Sequence, residues 1–315
     1  MQREDTTPPD ASFLPAAVLE LLARLPAECL PGGRGWCAAA AGILEASAPK
    51  PGNVHPGAAF PDLSHADLVA AAVASARAFE AAPHERLGRT IRTAVAASRA
   101  VTPSNANLGI ILLIAPLAAA DDGGPLNAEA VARMLARLTP DDAADAWEAI
   151  GVAQAGGLGS AAKWDLRGPP PDDLLAAMDE ARDRDQIARL WARGYEPLFA
   201  GPVQDLRAEL AACQTASGPA AVAASGPDFE TAIVRTFLRQ LAREPDSLIA
   251  RRQGAATAVD VSRRAAEVLT AGSGWRRAAA EFDRFLRAPR RLNPGTTADL
   301  VAAALYAVLR TPSTR

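Results

Sequence analysis

An all-α fold, one multi-helix globular domain, is what this chain predicts. Apolar residues return at three- and four-residue spacing along most of its length, the period of a helix with one buried face. No stretch alternates with period two as a half-buried strand would. Alanine, the strongest intrinsic helix former, occupies a large share of the positions.

In chain order, residues 1–12 are polar and proline-containing and read as a flexible tail, with the helical domain spanning 13–315. Helical spacing runs through 13–25, 36–46, 66–81, 87–101, 108–120, 128–138 and 143–153. It resumes through 174–181, 187–192, 203–212, 229–241, 255–269, 275–286 and 298–309. Ser64 stands before the helix at 66–81 as a cap, with Asp67 in an acidic first turn. Thr139-Pro140-Asp141-Asp142 joins a capping residue to a first-turn proline and two acids. Asn293-Pro294-Gly295-Thr296-Thr297 has the same form ahead of the last helix. Two stretches, 48–63 and 156–171, break the pattern; the second ends in Pro169-Pro170-Pro171 and reads as a hinge.

Composition narrows the class. The chain has 315 residues, 49% of them hydrophobic but only 5% aromatic, so its core is built from Ala, Leu, Val and Ile. Small side chains fill little volume, and such a core needs closely approaching helices. A net charge of −3 excludes the basic surplus expected of a nucleic-acid binder. Paired arginines at 251–252, 263–264, 276–277 and 290–291 share their helices with acids and read as solvated faces. Cys29, Cys37 and Cys213 are sparse and odd in number, which suits reduced thiols in a cytoplasmic protein. His55, His65 and His84 lack zinc-ligand spacing, and no apolar run of about 18 residues marks a membrane span.

Against the alanine background the rare residue types stand out. Of 33 basic residues only Lys50 and Lys163 are lysine, a compact point charge where arginine is a planar fork. Asparagine is also scarce: of Asn53, Asn105, Asn107, Asn127 and Asn293, four fall in Gly- or Pro-marked connections, while Lys50 sits three residues before Asn53 and Lys163 closes the glycine-rich run at 156–159.

Five segments carry the candidate chemistry. In the first, Glu45 closes a helix and Lys50 sits between Pro49 and Pro51, ahead of Gly52, Asn53 and His55, with Asp62 beyond. Flanking prolines restrict the lysine, so it loses less backbone entropy on meeting an anion. In the second, Ser104 or Asn105 caps the following helix, and Gly109, one turn on, clears space beside Asn105. A helix start offers free N–H groups to phosphate. The third, Gly156-Gly157-Leu158-Gly159 closing on Lys163, suits a phosphate but lacks the P-loop ending. The fourth sets Ser247 and Arg251 a turn apart, after Asp246, which suits magnesium or an arginine. In the fifth, Gly295 and Asp299 share a face, so a ligand reaching the backbone would meet a carboxylate, with Asn293, Thr296 and Thr297 at the turn. Each segment also has a plainer reading as a cap, a connection or a solvated ion pair.

In this order, Pro49-Lys50-Pro51-Gly52-Asn53, Asn105-Ala106-Asn107-Leu108-Gly109, the Gly156 run, Asp246-Ser247-Leu248-Ile249 and Asn293-Pro294-Gly295-Thr296-Thr297-Ala298-Asp299-Leu300 resemble the triphosphoribosyl-dephospho-coenzyme A synthase family. The resemblance covers most of the chain. It implies an all-α fold with a polar central cleft, and transfer of a phosphorylated ribosyl group to a hydroxyl of an acceptor. In the namesake enzymes ATP is the donor, dephospho-coenzyme A the acceptor, and adenine leaves. That chemistry asks for carboxylates beside an oxocarbenium-like centre and for cations, helix starts and Mg²⁺ around phosphates. On this reading Lys50, Asn53, His55, Asn105, Asn107, Lys163, Arg251, Asn293, Gly295, Thr296 and Thr297 bind substrate or phosphate. Glu45, Asp62 and Asp299 compete for the catalytic roles, and Asp246 and Asp299 for the metal.

Two departures bear on the donor. The namesake pattern Asn-Thr-His-Lys-Gly is here Asn105-Ala106-Asn107-Leu108-Gly109, without the His and the Lys. Their Gly-Ala-His-x-Asp-Met is Gly57-Ala58-Ala59-Phe60-Pro61-Asp62-Leu63, again without the His. The chain looks closer to the archaeal-type branch, found also with methanopterin-linked one-carbon metabolism. A second expectation is therefore a pentosyl or phosphoribosyl transferase of tetrahydromethanopterin biosynthesis, with a donor such as phosphoribosyl pyrophosphate. A third is a non-catalytic helical nucleotide-binding or scaffold protein. The partners expected are a nucleotide or phosphoribosyl donor and a small hydroxyl-bearing acceptor, with no nucleic acid and no membrane; a homodimer stays open.

Overall fold

Small residues decide how this chain packs. The computed structural model describes residues 33–102, 107–153, 164, 168–225 and 229–311, with the backbone alone over 214–225. The expected tail at 1–12 and the helix at 13–25 lie outside the described residues, as do Asn105 and Lys163. The first described helices are α1 (Arg34–Ser47), α2 (His65–Ala81), α3 (Leu87–Val101), α4 (Leu108–Ala120), α5 (Ala128–Leu135) and α6 (Pro140–Ala153). After them come α7 (Leu174–Ala181), α8 (Gln186–Ala192), α9 (Glu196–Ala200), α10 (Pro202–Ser225) and α11 (Phe229–Arg243). The chain closes with α12 (Ser247–Gln253), α13 (Ala255–Thr270), α14 (Trp275–Arg287) and α15 (Gly295–Arg310). Among the described residues extended pairing is limited to two isolated bridges, His55 with Ala58 and Phe60 with Leu63.

α1, α2, α3 and α6 pack in series. A β-carbon on Gly35 would stand 2.3 Å from the carbonyl oxygen of Ala76, and one on Gly88 2.4 Å from that of Asp142, so both crossings depend on glycine. At the second crossing the Gly88 N–H donates to Asp142 Oδ1 at 2.9 Å. Ser64 caps α2 with a reciprocal bond to Asp67, as its sequence foretells. α10, α11, α13 and α14 form the other flank.

α15 runs between the flanks and meets α1, α4, α10 and α11. From Thr296 to Ala307 only Asp299 escapes full burial, which the alanines allow by admitting neighbours on every side. α4 is nearly as enclosed and carries Pro116, whose missing N–H frees the carbonyl of Leu112 one turn earlier. Two side chains answer it: Trp191 Nε1 donates at 3.0 Å and Tyr195 Oη at 3.2 Å. Tyr195 is itself fully buried.

The helix assignment holds with local corrections. α10 continues past the expected end at 212 to Ser225, α5 stops at Leu135, and α15 starts at Gly295 in place of 298. α9 was not foreseen: five residues carry no period, and it opens at Tyr195 in the left-handed region with φ 66°. No helix among the described residues is long and apolar enough to cross a membrane.

Candidate active site

The connection after α1 is held through Lys50, Gly52 and Asn53. Lys50 turns back on the helix it follows: its Nζ donates to the carbonyls of Glu45 and Ala48 and lies 2.9 Å from Glu45 Oε1. The ammonium has three N–H bonds, and all three find partners with the side chain fully buried. Gly52 adopts φ 80°, and a β-carbon there would press Leu286 Cδ1 and the Leu292 carbonyl at 2.9 Å, so the turn requires glycine. Its N–H donates to Asp283 Oδ1 at 2.8 Å, while Arg287, paired with Asp283, donates to the Asn53 carbonyl at 2.6 Å.

The last segment meets the first directly. Asn53 Nδ2 donates to Asn293 Oδ1 at 2.7 Å, and Asn53 Oδ1 is buried with no partner. His55 is half-buried at the next turn; burial first, then the Arg287 charge, hold its imidazole below the usual range, with Asp283 opposing.

Asp246 ties the fourth segment to the fifth. Its Oδ1 caps α12 through the N–H groups of Leu248 and Ile249, and its Oδ2 accepts from Thr297 N and Oγ1, both at 2.8 Å. Burial raises its carboxyl against the pull of these bonds. Alongside, Ser247 Oγ donates to Thr296 Oγ1 at 3.1 Å.

Asp299, one turn along α15 from Gly295, receives no hydrogen bond from the described residues. Its carboxylate lies against Gly109 in the first turn of α4, where a β-carbon would stand 2.0 Å from Oδ2. Burial, followed by the charges of Glu45, Asp246 and Asp185, pushes this carboxyl well above the usual range, while Arg251 pulls it down. Segments one, two, four and five thus converge on Asp299; the third lies largely outside the described residues.

Several expectations need correction. Asp246 holds no arginine: Arg251 pairs with Asp185 at the start of α8. Asp246 has both oxygens engaged and so offers a metal no open position. The space beside Gly295 is filled, since a β-carbon there would meet Leu248 Cδ2 at 2.8 Å, so no ligand approaches the backbone on that side. Thr296 and Thr297 are buried links, as their bonds show. Asn107 is the residue preceding α4; its side chain does not cap the helix, and Nδ2 reaches the Leu68 carbonyl at 3.5 Å. Asp62 is exposed in the loop closed by Phe60 and Leu63, outside the leading charges on Asp299.

The sequence did not single out Asp185 or Gln186. Gln186 Oε1 accepts from the Ser247 N–H at 3.0 Å, joining α8 to α12, and both residues hide in the charged run 182–185 and its continuation. Among the described residues no three His, Cys, Asp or Glu side chains gather as a metal-holding group.

The described residues form an all-helical body with charged and amide side chains from distant segments gathered near the start of one helix, and its family match makes it a pentosyl transferase. The chain belongs to the CitG family, ATP:dephospho-CoA triphosphoribosyl transferase, whose model matches residues 33–314. It is similar in fold to a crystal structure from Archaeoglobus fulgidus provisionally described as a triphosphoribosyl-dephospho-coA synthase. That likeness has a TM-score of 0.57 at 22% identity, covering 77% of this chain and 98% of the other. No curated protein matches it.

Proposed function

We propose that the residues around Asp299 line a polar cleft in which ATP gives its triphosphoribosyl group to a hydroxyl of dephospho-coenzyme A. The observation that carries this reading is the convergence of Glu45, Gly109 and Arg251 on one carboxylate that accepts no hydrogen bond from the described residues. In the transfer, the bond from ribose C1 to adenine breaks and a bond from C1 to the acceptor oxygen forms. Adenine departs with the electron pair and takes up a proton, and the attacking hydroxyl loses one.

Positive charge grows at C1 as adenine leaves, and Glu45, fixed by Lys50, supplies opposing charge. The hydroxyl proton goes to a carboxylate of the cluster or to His55, whose burial holds its imidazole below the usual range. Arg251, Asn53 and the first turn of α4 are the phosphate ligands, with Asn105 and Lys163 as further candidates. Lys50 has no N–H left and acts through Glu45.

Magnesium fits this donor set, because it takes one or two protein carboxylates and fills its shell with phosphate and water. Asp299 is the carboxylate with oxygens to give, and the ion would neutralise phosphate charge there. The reading assigns the protein to the cytoplasm, with Cys37 and Cys213 as buried free thiols.

One observation favours the second donor. Leu108, where the namesake pattern has lysine, is buried in the core, so the first turn of α4 brings no cation to the phosphates. Fewer phosphates would suit phosphoribosyl pyrophosphate and a pterin acceptor.

The test is incubation with ATP, Mg²⁺ and dephospho-coenzyme A, followed by chromatography for adenine and mass analysis of the product. Adenine release with a triphosphoribosyl adduct supports the first reading. Pyrophosphate release from phosphoribosyl pyrophosphate with a pterin acceptor, and no adenine, supports the second. No turnover, with no ligand-induced melting shift that Asp299→Ala abolishes, would overturn both in favour of a scaffold.

A further inference from the structure

Two cations bear on the charges around Asp299, Lys50 through Glu45 and Arg251 directly, and they differ in what they can still give. Lys50 is fully buried with its three N–H bonds directed at Glu45 and Ala48. Arg251 spends one terminal nitrogen on Asp185, and its buried Nε has no partner. Gln186, next to Asp185 in the chain and 3% exposed, likewise has an Nε2 without a partner. Two unpaired buried donors at one helix junction are costly unless a ligand accepts from them.

Asp185 divides its oxygens between two tasks. Oδ1 accepts from the N–H groups of Ile187 and Ala188 at 2.9 and 3.0 Å and caps α8. Oδ2 takes the Arg251 guanidinium from α12. Gln186, through its Oε1 on the Ser247 N–H, locks the same two helices together. The guanidinium is therefore set by α8 through Asp185, and the charges of both residues reach the carboxyl of Asp299.

We infer that Asp185 is a positioning residue for the transfer: its Oδ2 holds Arg251 where the guanidinium meets the terminal phosphates of the donor. The inference rests on the preceding reading that a phosphorylated donor binds at this cluster. An arginine suits the task because its planar fork serves a carboxylate on one edge and phosphate oxygens on another.

Asp185→Asn separates the two tasks. Asparagine keeps an acceptor oxygen and caps helices well, so α8 stays closed, while the charge that holds Arg251 is gone. The measurement is calorimetric affinity for ATP and for ADP without acceptor, with KM for donor and acceptor taken in parallel. In the variant, ATP affinity falls about tenfold and the preference for ATP over ADP shrinks, while the acceptor KM stays within about twofold. Adding Arg251→Gln to Asp185→Asn costs no more than Arg251→Gln alone.

Unchanged ATP affinity in Asp185→Asn, or donor and acceptor KM rising together, would overturn the positioning role. If the wild-type protein uses phosphoribosyl pyrophosphate instead, the same variants are measured against that donor, and a selective rise in its KM supports the inference. Failure of the ATP reading thus shows in the wild-type protein, and failure of the inference only in the variant.

Discussion

Asp299 and Gly109 stand so close that a β-carbon on residue 109 would lie 2.0 Å from Asp299 Oδ2 and 2.5 Å from Cγ. The missing side chain lets a carboxylate from the last helix rest against the first turn of α4, where unpaired N–H groups and the helix dipole favour negative charge. Glycine and aspartate are thus one feature split across 190 residues of chain.

Gly109→Ala tests it. In an open helix this change stabilises by up to about 1 kcal/mol, because alanine is the better helix former. Gly151 in α6 has nothing near its absent β-carbon, and Gly151→Ala follows that rule. At position 109 the new methyl must displace the carboxylate, so we expect a loss of about 1–3 kcal/mol. Turnover, read as adenine release, drops at least about tenfold, since that shift moves a reacting group. Denaturant melts of both variants beside the wild type check the contrast; equal shifts at 109 and 151 would sink it.

The raised carboxyl of Asp299 has a consequence for pH. An ordinary aspartate titrates at 3.8, and this one well above it, so over the interval between them the folded protein keeps a proton that the unfolded chain has released. Stability due to this group is therefore lost as pH rises through that interval. Below pH about 3 both states are protonated and the effect vanishes. Asp299→Asn should be close to neutral in acid and stabilising at pH 7, with turnover abolished. Urea melts of metal-free protein across the pH range give the difference curve, and a flat one would refute the charge crowding.

How much of this could be read from the chain follows from how local each feature is. The helices from α1 to α4 show in the apolar period because each buries one face or more, and Ser64 with Asp67 marks the start of α2 within four residues. The segments around Lys50, Gly109, Asp246 and Asp299 were legible because Pro, Gly, Asn and Lys interrupt an alanine-rich background. Their partners were not. Nothing near Arg251 announces a carboxylate 66 residues earlier, and Asp185 sits in Arg182-Asp183-Arg184-Asp185, which looks like an ordinary solvated charge run. Lysine in a proline-bound loop suggests a free point charge, yet Lys50 finds its own helix end first. Local pattern fixes which residues are unusual; only packing decides whether they face a ligand or each other.

Lys50 and Glu45 form a buried pair, with side chains 0% and 6% exposed. Removing one partner leaves the other charge buried and unpaired, which typically costs about 3–5 kcal/mol. Lys50→Met should fall in that range. Lys50→Met with Glu45→Gln should recover much of the loss, because an apolar and a neutral polar side chain replace two charges. Recovery of stability without recovery of turnover would assign Glu45 to the chemistry and Lys50 to its support. A double variant no more stable than the single one would mean that the pair contributes by packing alone.

Asp246 offers the sharpest division between holding the site and acting in it. It accepts four hydrogen bonds, two closing α12 and two from Thr297 on α15, and it is fully buried. Asp246→Ala removes a helix cap, worth about 1 kcal/mol, and strands the Thr297 donors at a further 1–3 kcal/mol or so. Asp246→Asn keeps the cap but turns an N–H₂ toward two donors, so it loses the α15 link alone. Thr297→Val loses one of those two bonds, a change of about 1 kcal/mol. If the link serves to aim Asp299, activity in Asp246→Asn and Thr297→Val falls in step with stability, and the magnesium dependence of the residual activity stays as in wild type. A shift of the half-saturating Mg²⁺ concentration by tenfold or so in Asp246→Asn, at unchanged stability, would instead make Asp246 a metal ligand and show that its four bonds give way when substrate arrives.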